Sequence, residues 1–393
     1  MKIALALCGG GSLGSYEVGA IEKLYEKGLS FDIVTGSSVG ALNGFFVATH
    51  DFKKLISFWE NIEMSNIIKD GFNTNKAAIS KIFENRAKQV RTLLVSYIQN
   101  IGLDIAPYKE LLTGAMDLSK LKKPDAAKLG VVYTSYPSMK ENRKLVNDED
   151  DEAIMDYFYA SSACFPIFPL HKIGNKYYID GGYSNNLPIN YAFDLGADYV
   201  YAVGLRSFPP VPQFRNYQRL PNVKFIMQSR SLGFMMDFDP KTLSRNRMMG
   251  YLDAGRVLGD YYGETYAFKK DEKDLEKAHA FVMKALAKGA KGFDSLKSLF
   301  GFKVSERVDE ISFYIAGIEY IAKAFQVDEF HLYSIDSMLE AIKEKALNLN
   351  ESKKKQPKYR YLSELVLGTR AVSLRPKGLP QESLLFLHFC NLS

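Results

Sequence analysis

Ser38 stands at the centre of Gly36-Ser37-Ser38-Val39-Gly40, a G-x-S-x-G pattern. Small flanking residues let backbones pack closely there, while the middle serine is held out at the tip of a sharp turn. A hydroxyl so presented is a candidate nucleophile toward an acyl carbonyl, provided a base takes its proton and donors hold the oxyanion that forms. Donors are offered by Cys8-Gly9-Gly10-Gly11-Ser12-Leu13-Gly14, which follows one apolar segment and opens another. Backbone N–H groups of Gly9, Gly10, Gly11 and Gly14 can point at an anion in that setting. A base is offered by Asp180, which leaves the strand-like Lys176-Tyr177-Tyr178-Ile179. Gly181 and Gly182 follow it and carry no side chains to block an approaching loop.

These residues must be positioned by a sheet. Residues 2–7 and 31–35 read as buried strands, and 14–27 and 39–48 as helices, which makes βαβα and hence a parallel sheet. Two adjacent parallel strands put both following turns on one sheet edge, so Gly10, Gly11 and Ser38 are expected to converge. Ser37 is expected to point away from the tip. From 51 to 128 the pattern turns helical, with Ile82, Phe83, Val90, Leu93, Leu94, Tyr97, Ile98 and Ile101 at helical spacing, and reads as an inserted cap. Strand signals return at 129–135, 176–179 and 199–205, with a helix at 151–161, and the sheet then reads as complete. Beyond Arg206 the pattern is mostly helical. Within 306–325, Val308, Ile311, Ile315, Ile318, Ala322 and Phe325 form a core-facing stripe.

Two rival chemistries fit less well. Gly9, Gly11 and Gly14 also spell G-x-G-x-x-G, but a dinucleotide site wants an acid at the end of the second strand, where Gly36 stands. Asp32 lies at the wrong end of that strand, and no G-K-[ST] follows the glycines. A Ser-Asp-His hydrolase would place its nucleophile after several strands, whereas Ser38 follows the second. His50, His171 in a loop, His279, His331 and His388 read as surface or packing residues. A carboxylate remains as the base.

Taken together in this order, the residues resemble the patatin-like phospholipase family. The matching positions are Gly9, Gly10, Gly11 and Gly14, then Gly36, Ser38 and Gly40, then Asp180, Gly181 and Gly182; YASSACFPIFP at 159–169 and NNLP at 185–188 fit as well. The resemblance is strong over 2–205 and extends weakly to Gly259. It implies a three-layer α/β fold with a mainly parallel central sheet, a helical insertion and a helical C-terminal region. It also implies a lipid substrate, a Ser38–Asp180 dyad without histidine, and an oxyanion hole at Gly9, Gly10 and Gly11, with no cofactor or metal. Three regions follow: 1–206 as the patatin-like catalytic domain with its cap at about 51–128, 207–262 as a helical extension completing it, and 263–393 as a helical region of unknown role. One departure stands out, because the family carries Arg or Lys before the last loop glycine and this chain has Leu13.

Composition bounds what remains. The 393 residues, 47% of them hydrophobic, suffice for one large or two ordinary domains. Cys8, Cys164 and Cys390 are scattered and odd in number, which argues against a disulfide framework or a zinc site and for a reducing, cytoplasmic setting. The start MKIALALCGGG is too short for a secretory segment and reads as a strand. No run of about 18 apolar residues occurs, so work on a membrane is expected from its surface. The net charge of +6 is concentrated, since 353–393 holds eight basic residues against two acidic, and the balanced remainder offers no stripe for nucleic acid. In that tail, Lys353, Lys354, Lys355, Lys358 and Arg360 precede SLLFLHF at 383–389, and read either as a solvated run beside a core strand or as a peripheral seat on an anionic membrane. NDEDDE at 147–152 reads as a solvated charge run opening a helix, not a calcium loop. The leading expectation is a lipid acyl hydrolase. An acyltransferase on the same dyad and a non-catalytic lipid-binding or scaffold protein share its residues.

Overall fold

The computed structural model describes residues 1–68, 104–205, 217, 220–287 and 290–349, with 359, 363, 364, 366 and 367. Residues 69–103 of the expected cap at about 51–128, the basic cluster and apolar segment of the tail, His388 and Cys390 lie outside the described residues. The chain divides into two compact units, Met1–Ala254 and Gly255–Ser393.

The first unit opens with β1 (Ile3–Leu7), α1 (Gly14–Glu26), β2 (Ile33–Ser37) and α2 (Val39–Ala48). β1 is a continuous apolar run and all five residues of β2 are buried, because a parallel strand is covered on both faces. They pair in parallel from Ala4↔Ile33 to Leu7↔Gly36, so the turns after Leu7 and Ser37 leave from one edge. α3 (Phe52–Asn61) buries Leu55, Phe58 and Trp59 on one side, and α4 (Ala106–Ala115) follows. Next come β3 (Lys128–Tyr136), β4 (Glu141–Leu145) and α5 (Asp151–Ser162), whose first turn is capped by the Asp150 side chain accepting the Ala153 N–H. β5 (His171–Ile173), β6 (Lys176–Asp180), α6 (Ile189–Asp194), β7 (Tyr199–Gly204), β8 (Val223–Met227) and α7 (Pro240–Val257) complete the succession.

The eight strands form one sheet. β3, β2, β1, β7 and β8 run parallel in that order, β4 and β6 pair antiparallel to β3, and β5 pairs antiparallel to β6. Gly44 on α2 packs against the Val34 side chain, while Thr35 Oγ1 donates to the Pro188 carbonyl at the start of α6. Consecutive strand residues point to opposite faces, so α2 and α6 cover the two faces and the expected three layers are present. Two expectations are corrected. The sheet does not end at Leu205, because β8 adds a parallel edge strand; VKFIM is short and half-exposed, with too little alternation to announce itself. His171 is not in a loop but opens β5, paired with Tyr178.

The register around β3 brings distant segments together. Residues 130–132 of β3 pair with both β2 and β4, and 133–134 pair with both β4 and β6. A strand has one neighbour per side, so β2 and β6 share the side opposite β4 and meet end to end. Ser37 stands opposite Val132, and Asp180 stands opposite Tyr133, one residue further on.

The second unit holds α8 (Lys273–Leu286), α9 (Ala290–Leu299), α10 (Glu310–Phe325) and α11 (Ile335–Leu347), with a small sheet of β9 (Tyr261–Tyr262), β10 (Ala267–Lys269) and β11 (Leu332–Tyr333). The expected stripe lies in its core, with Ile311, Ile315, Ile318, Ala322 and Phe325 buried and Val308 packed against them. α10 begins at Glu310, not 306, because Asp309 caps it by accepting the Ser312 N–H.

Candidate active site

The turn between β2 and α2 explains which serine is presented. Ser38 has φ 53° and ψ −127°, a left-handed conformation that a non-glycine residue holds only under constraint, at a cost of about 1–3 kcal/mol. The glycines on either side are required by contact. A Cβ on Gly36 would lie 2.4 Å from the Gly40 carbonyl, and one on Gly40 would lie 2.7 Å from the carbonyl oxygens of Leu7 and Cys8. Ser37 is fully buried, and its hydroxyl donates to the Asn185 carbonyl at 2.6 Å. The Ser38 N–H donates to Ser161 Oγ at 2.8 Å, and that hydroxyl donates onward to the Val132 carbonyl at 2.6 Å. Ser37 is thus an internal strut, and Ser38, half-buried, is the serine left with a side chain for other work.

Its partner arrives from the end of β6. The Ser38 hydroxyl faces the Asp180 carboxyl and favours its ionised form, and the Gly182 N–H donates to Asp180 Oδ1 at 2.7 Å. Burial pushes the Asp180 pKa up to about 6, with the Ser38 hydroxyl and the Gly182 N–H pulling the other way. Gly181 fits because a Cβ there would lie 2.2 Å from the Val132 carbonyl. Cys164, Tyr108 and Tyr183 surround the carboxyl, and burial raises all three well above their ordinary values, so they stay neutral beside it. A carboxylate with a pKa near working pH, set beside a serine hydroxyl, is suited to take its proton during attack.

The glycine loop lies on the other flank of Ser38, so close that a Cβ on Gly9 would be 2.9 Å from Ser38 Cβ. Gly9 is pinned there by Asn186, whose Oδ1 accepts the Gly9 N–H at 3.0 Å and whose Nδ2 donates to the Gly9 carbonyl at 3.2 Å. The Gly9 N–H is thus taken up in holding the loop, whereas Gly10 and Gly11 are the other two glycines expected to hold an oxyanion. Their N–H groups have no hydrogen-bond partner among the described residues. The Ser12 N–H ties the loop to the Met235 carbonyl at 2.8 Å, and Gly14 packs on Val39 and Trp59. Leu13 only donates its N–H to the Gly10 carbonyl.

Four supporting residues were not singled out from the sequence: Asn186, Ser161, Glu17 and Asn43. Glu17 is fully buried under the loop, with Oε1 accepting the Cys8 N–H at 2.7 Å and Oε2 accepting Asn43 Nδ2 at 2.8 Å. Asn43 also accepts from Trp59 Nε1 at 2.8 Å, so the loop, the elbow helix α2 and α3 are joined through one polar group. Burial pushes Glu17 up to about 8. Its signal was an acid at helical spacing with the buried Ala20, Ile21 and Leu24. The described histidines are occupied elsewhere: His50 with the Asp125 carbonyl, His171 with Asp156, His279 with Glu310 and His331 with Asp328.

Residues 5–193 match the model of the family described as patatin-like phospholipase. This segment belongs to that family. The chain is 26% identical over 224 residues to rat (Rattus norvegicus) patatin-like phospholipase domain-containing protein 7, covering 52% of this chain and 14% of that protein. It is 22% identical over 240 residues to triacylglycerol lipase 4 of Saccharomyces cerevisiae, covering 53% of this chain and 25% of that protein. The chain therefore spans a quarter or less of these relatives' length. The crystal structure of VipD from Legionella pneumophila aligns over 100% of this chain and 90% of that one at 15% identity, with a TM-score of 0.43. Among the described residues, no helix is long and apolar enough to cross a membrane.

Proposed function

We propose that this chain is a lipid acyl hydrolase acting on fatty-acyl esters through Ser38 and Asp180. The observation that carries the reading is the Ser38 hydroxyl set beside the buried Asp180 carboxyl, with a glycine loop packed against the same serine. Ser38 Oγ attacks the ester carbonyl while Asp180 takes the hydroxyl proton. The carbonyl oxygen becomes an oxyanion held by the Gly10 and Gly11 N–H groups, which are fixed in place before charge develops. Collapse breaks the bond to the alcohol, which leaves with the proton from Asp180, and an acyl-Ser38 ester remains. Water then attacks that ester, Asp180 takes one of its protons, and the fatty acid departs as Ser38 recovers its own. The patatin-like phospholipase domain and the names of its relatives support an ester of a phospholipid or an acylglycerol as substrate. The test is to incubate the purified chain with phosphatidylcholine or triolein and measure fatty acid release. Release that disappears in Ser38→Ala and in Asp180→Asn supports the reading, and release that persists in either overturns it.

A further inference from the structure

Beyond the site lies a surface that neither the serine nor the glycine loop uses. β3 outruns β2, and its last residues pair with β6 in the register Tyr133↔Asp180 to Tyr136↔Tyr177. β6 leads away from Asp180, so Tyr177 stands about 10 Å beyond it at 3.3 Å per residue. On this ledge the usual burial of large apolar groups is reversed: Tyr136, Met139, Tyr177 and Tyr183 are between 40% and 47% exposed. Tyr136, Tyr177 and Tyr183 cluster around Phe165, and Met139 lies in the turn that leaves β3. Tyr136 and Tyr177 are cross-strand partners, the Tyr136 ring lies 5.9 Å from that of Phe165, and the Tyr183 hydroxyl donates to the Phe165 carbonyl. Lys140, Lys172 and Lys176 border the patch, are exposed, and have no ion-pair partner among the described residues. Lys172 stands opposite Tyr177. The nearest acid along the chain, Glu141, is occupied by Arg143 and Asn185.

We propose that this ledge is the surface by which the patatin-like segment sits on an anionic phospholipid bilayer. Tyrosine rings are apolar in body and polar at the tip, which suits the boundary between headgroups and acyl chains. A contiguous exposed apolar patch calls for a partner, and three unpaired lysines around it select a negatively charged one. The ledge projects from the edge at which Ser38 is presented, so a lipid ester in the headgroup plane lies within reach of the serine. The purpose of the surface rests on the proposed hydrolase activity, but binding is measurable without turnover.

The test uses the full chain carrying Ser38→Ala, sedimented with vesicles of phosphatidylcholine alone or mixed with phosphatidylglycerol. Two further sets of changes are compared on that background: Tyr136→Ser with Met139→Ser and Tyr177→Ser, and Lys140→Gln with Lys172→Gln and Lys176→Gln. Each lysine is worth about fivefold in partitioning onto an anionic surface at low salt, so the lysine set should lower binding to mixed vesicles by up to about a hundredfold. The apolar set should lower binding to both vesicle types by at least about tenfold. Circular dichroism checks that each set folds, and the surface lysines keep the test decisive if the apolar set does not. With Ser38 restored, both sets should hydrolyse dispersed p-nitrophenyl butyrate like the parent while losing activity on vesicles. Binding to vesicles unchanged by either set overturns the proposal, as does self-association through the patch with no vesicle binding. If the parent with Ser38 hydrolyses neither substrate, the hydrolase reading fails and sedimentation still decides the ledge.

Discussion

Asp180→Asn separates two consequences of burying a carboxyl beside Ser38. Burial raises its pKa from 3.8 to about 6. The folded protein therefore holds that proton more tightly than the unfolded chain does. The sign follows: stability is greatest below about pH 4, falls as pH rises from about 4 to about 6, and stays lower above that. At 1.36 kcal/mol per pH unit the loss is about 3 kcal/mol. An asparagine of the same shape keeps an oxygen for the Gly182 N–H and never ionises, so the variant escapes this cost. It should be more stable than the parent by up to about 3 kcal/mol at pH 8, with the difference gone at pH 4. Urea unfolding at pH 4, 6 and 8 measures it, followed by the fluorescence of Trp59, the single tryptophan, which is buried in the same unit. The same substitution should lower ester hydrolysis by about 10²–10⁴, the range of a lost general base. In the parent, kcat/KM should rise through about pH 6 and then level off, because the carboxylate form is the base. A variant less stable than the parent at pH 8, or a difference that does not change with pH, refutes the argument that desolvation dominates this carboxyl.

Ser37→Ala should retain most activity while costing about 1–3 kcal/mol in urea unfolding, because it strips the buried Asn185 carbonyl of its donor. Ser161→Ala removes the acceptor of the Ser38 N–H; kcat should fall on the order of tenfold with KM unchanged, as steady-state kinetics would show. Alanine at His50, His171, His279 or His331 should leave kcat within about tenfold of the parent, and a fall near 10⁴ at one of them with folding intact would mark a histidine triad.

The site was legible in the sequence where chemistry and backbone geometry demand the same residue type. Gly36 and Gly40 are fixed by contacts under 3 Å, the strand before the glycine loop announced itself as an unbroken apolar run, and the one before the elbow as a short apolar stretch ending in Thr-Gly-Ser. The end-to-end meeting of β2 and β6 was not legible, because it depends on β3 changing partners midway along its length. β8 was missed for a related reason, since an edge strand needs only part of its length buried. The partner of Gly9 is also a tertiary matter: nothing within the glycine run says that Asn186, from a segment 177 residues away, takes the Gly9 N–H. Glu17 could have been found, because an acid on an apolar helical stripe must meet donors in the core.

Covalent capture at Ser38 tests the proposed mechanism most directly. The intact chain is treated with a fluorophosphonate probe, digested and mapped by mass spectrometry, beside Ser38→Ala and Ser37→Ala. The dyad predicts one adduct on Ser38, undiminished in Ser37→Ala and absent in Ser38→Ala, with labelling that strengthens as pH rises through about 6. No adduct on the folded parent, or an adduct on Ser37 or another serine that survives Ser38→Ala, would contradict it.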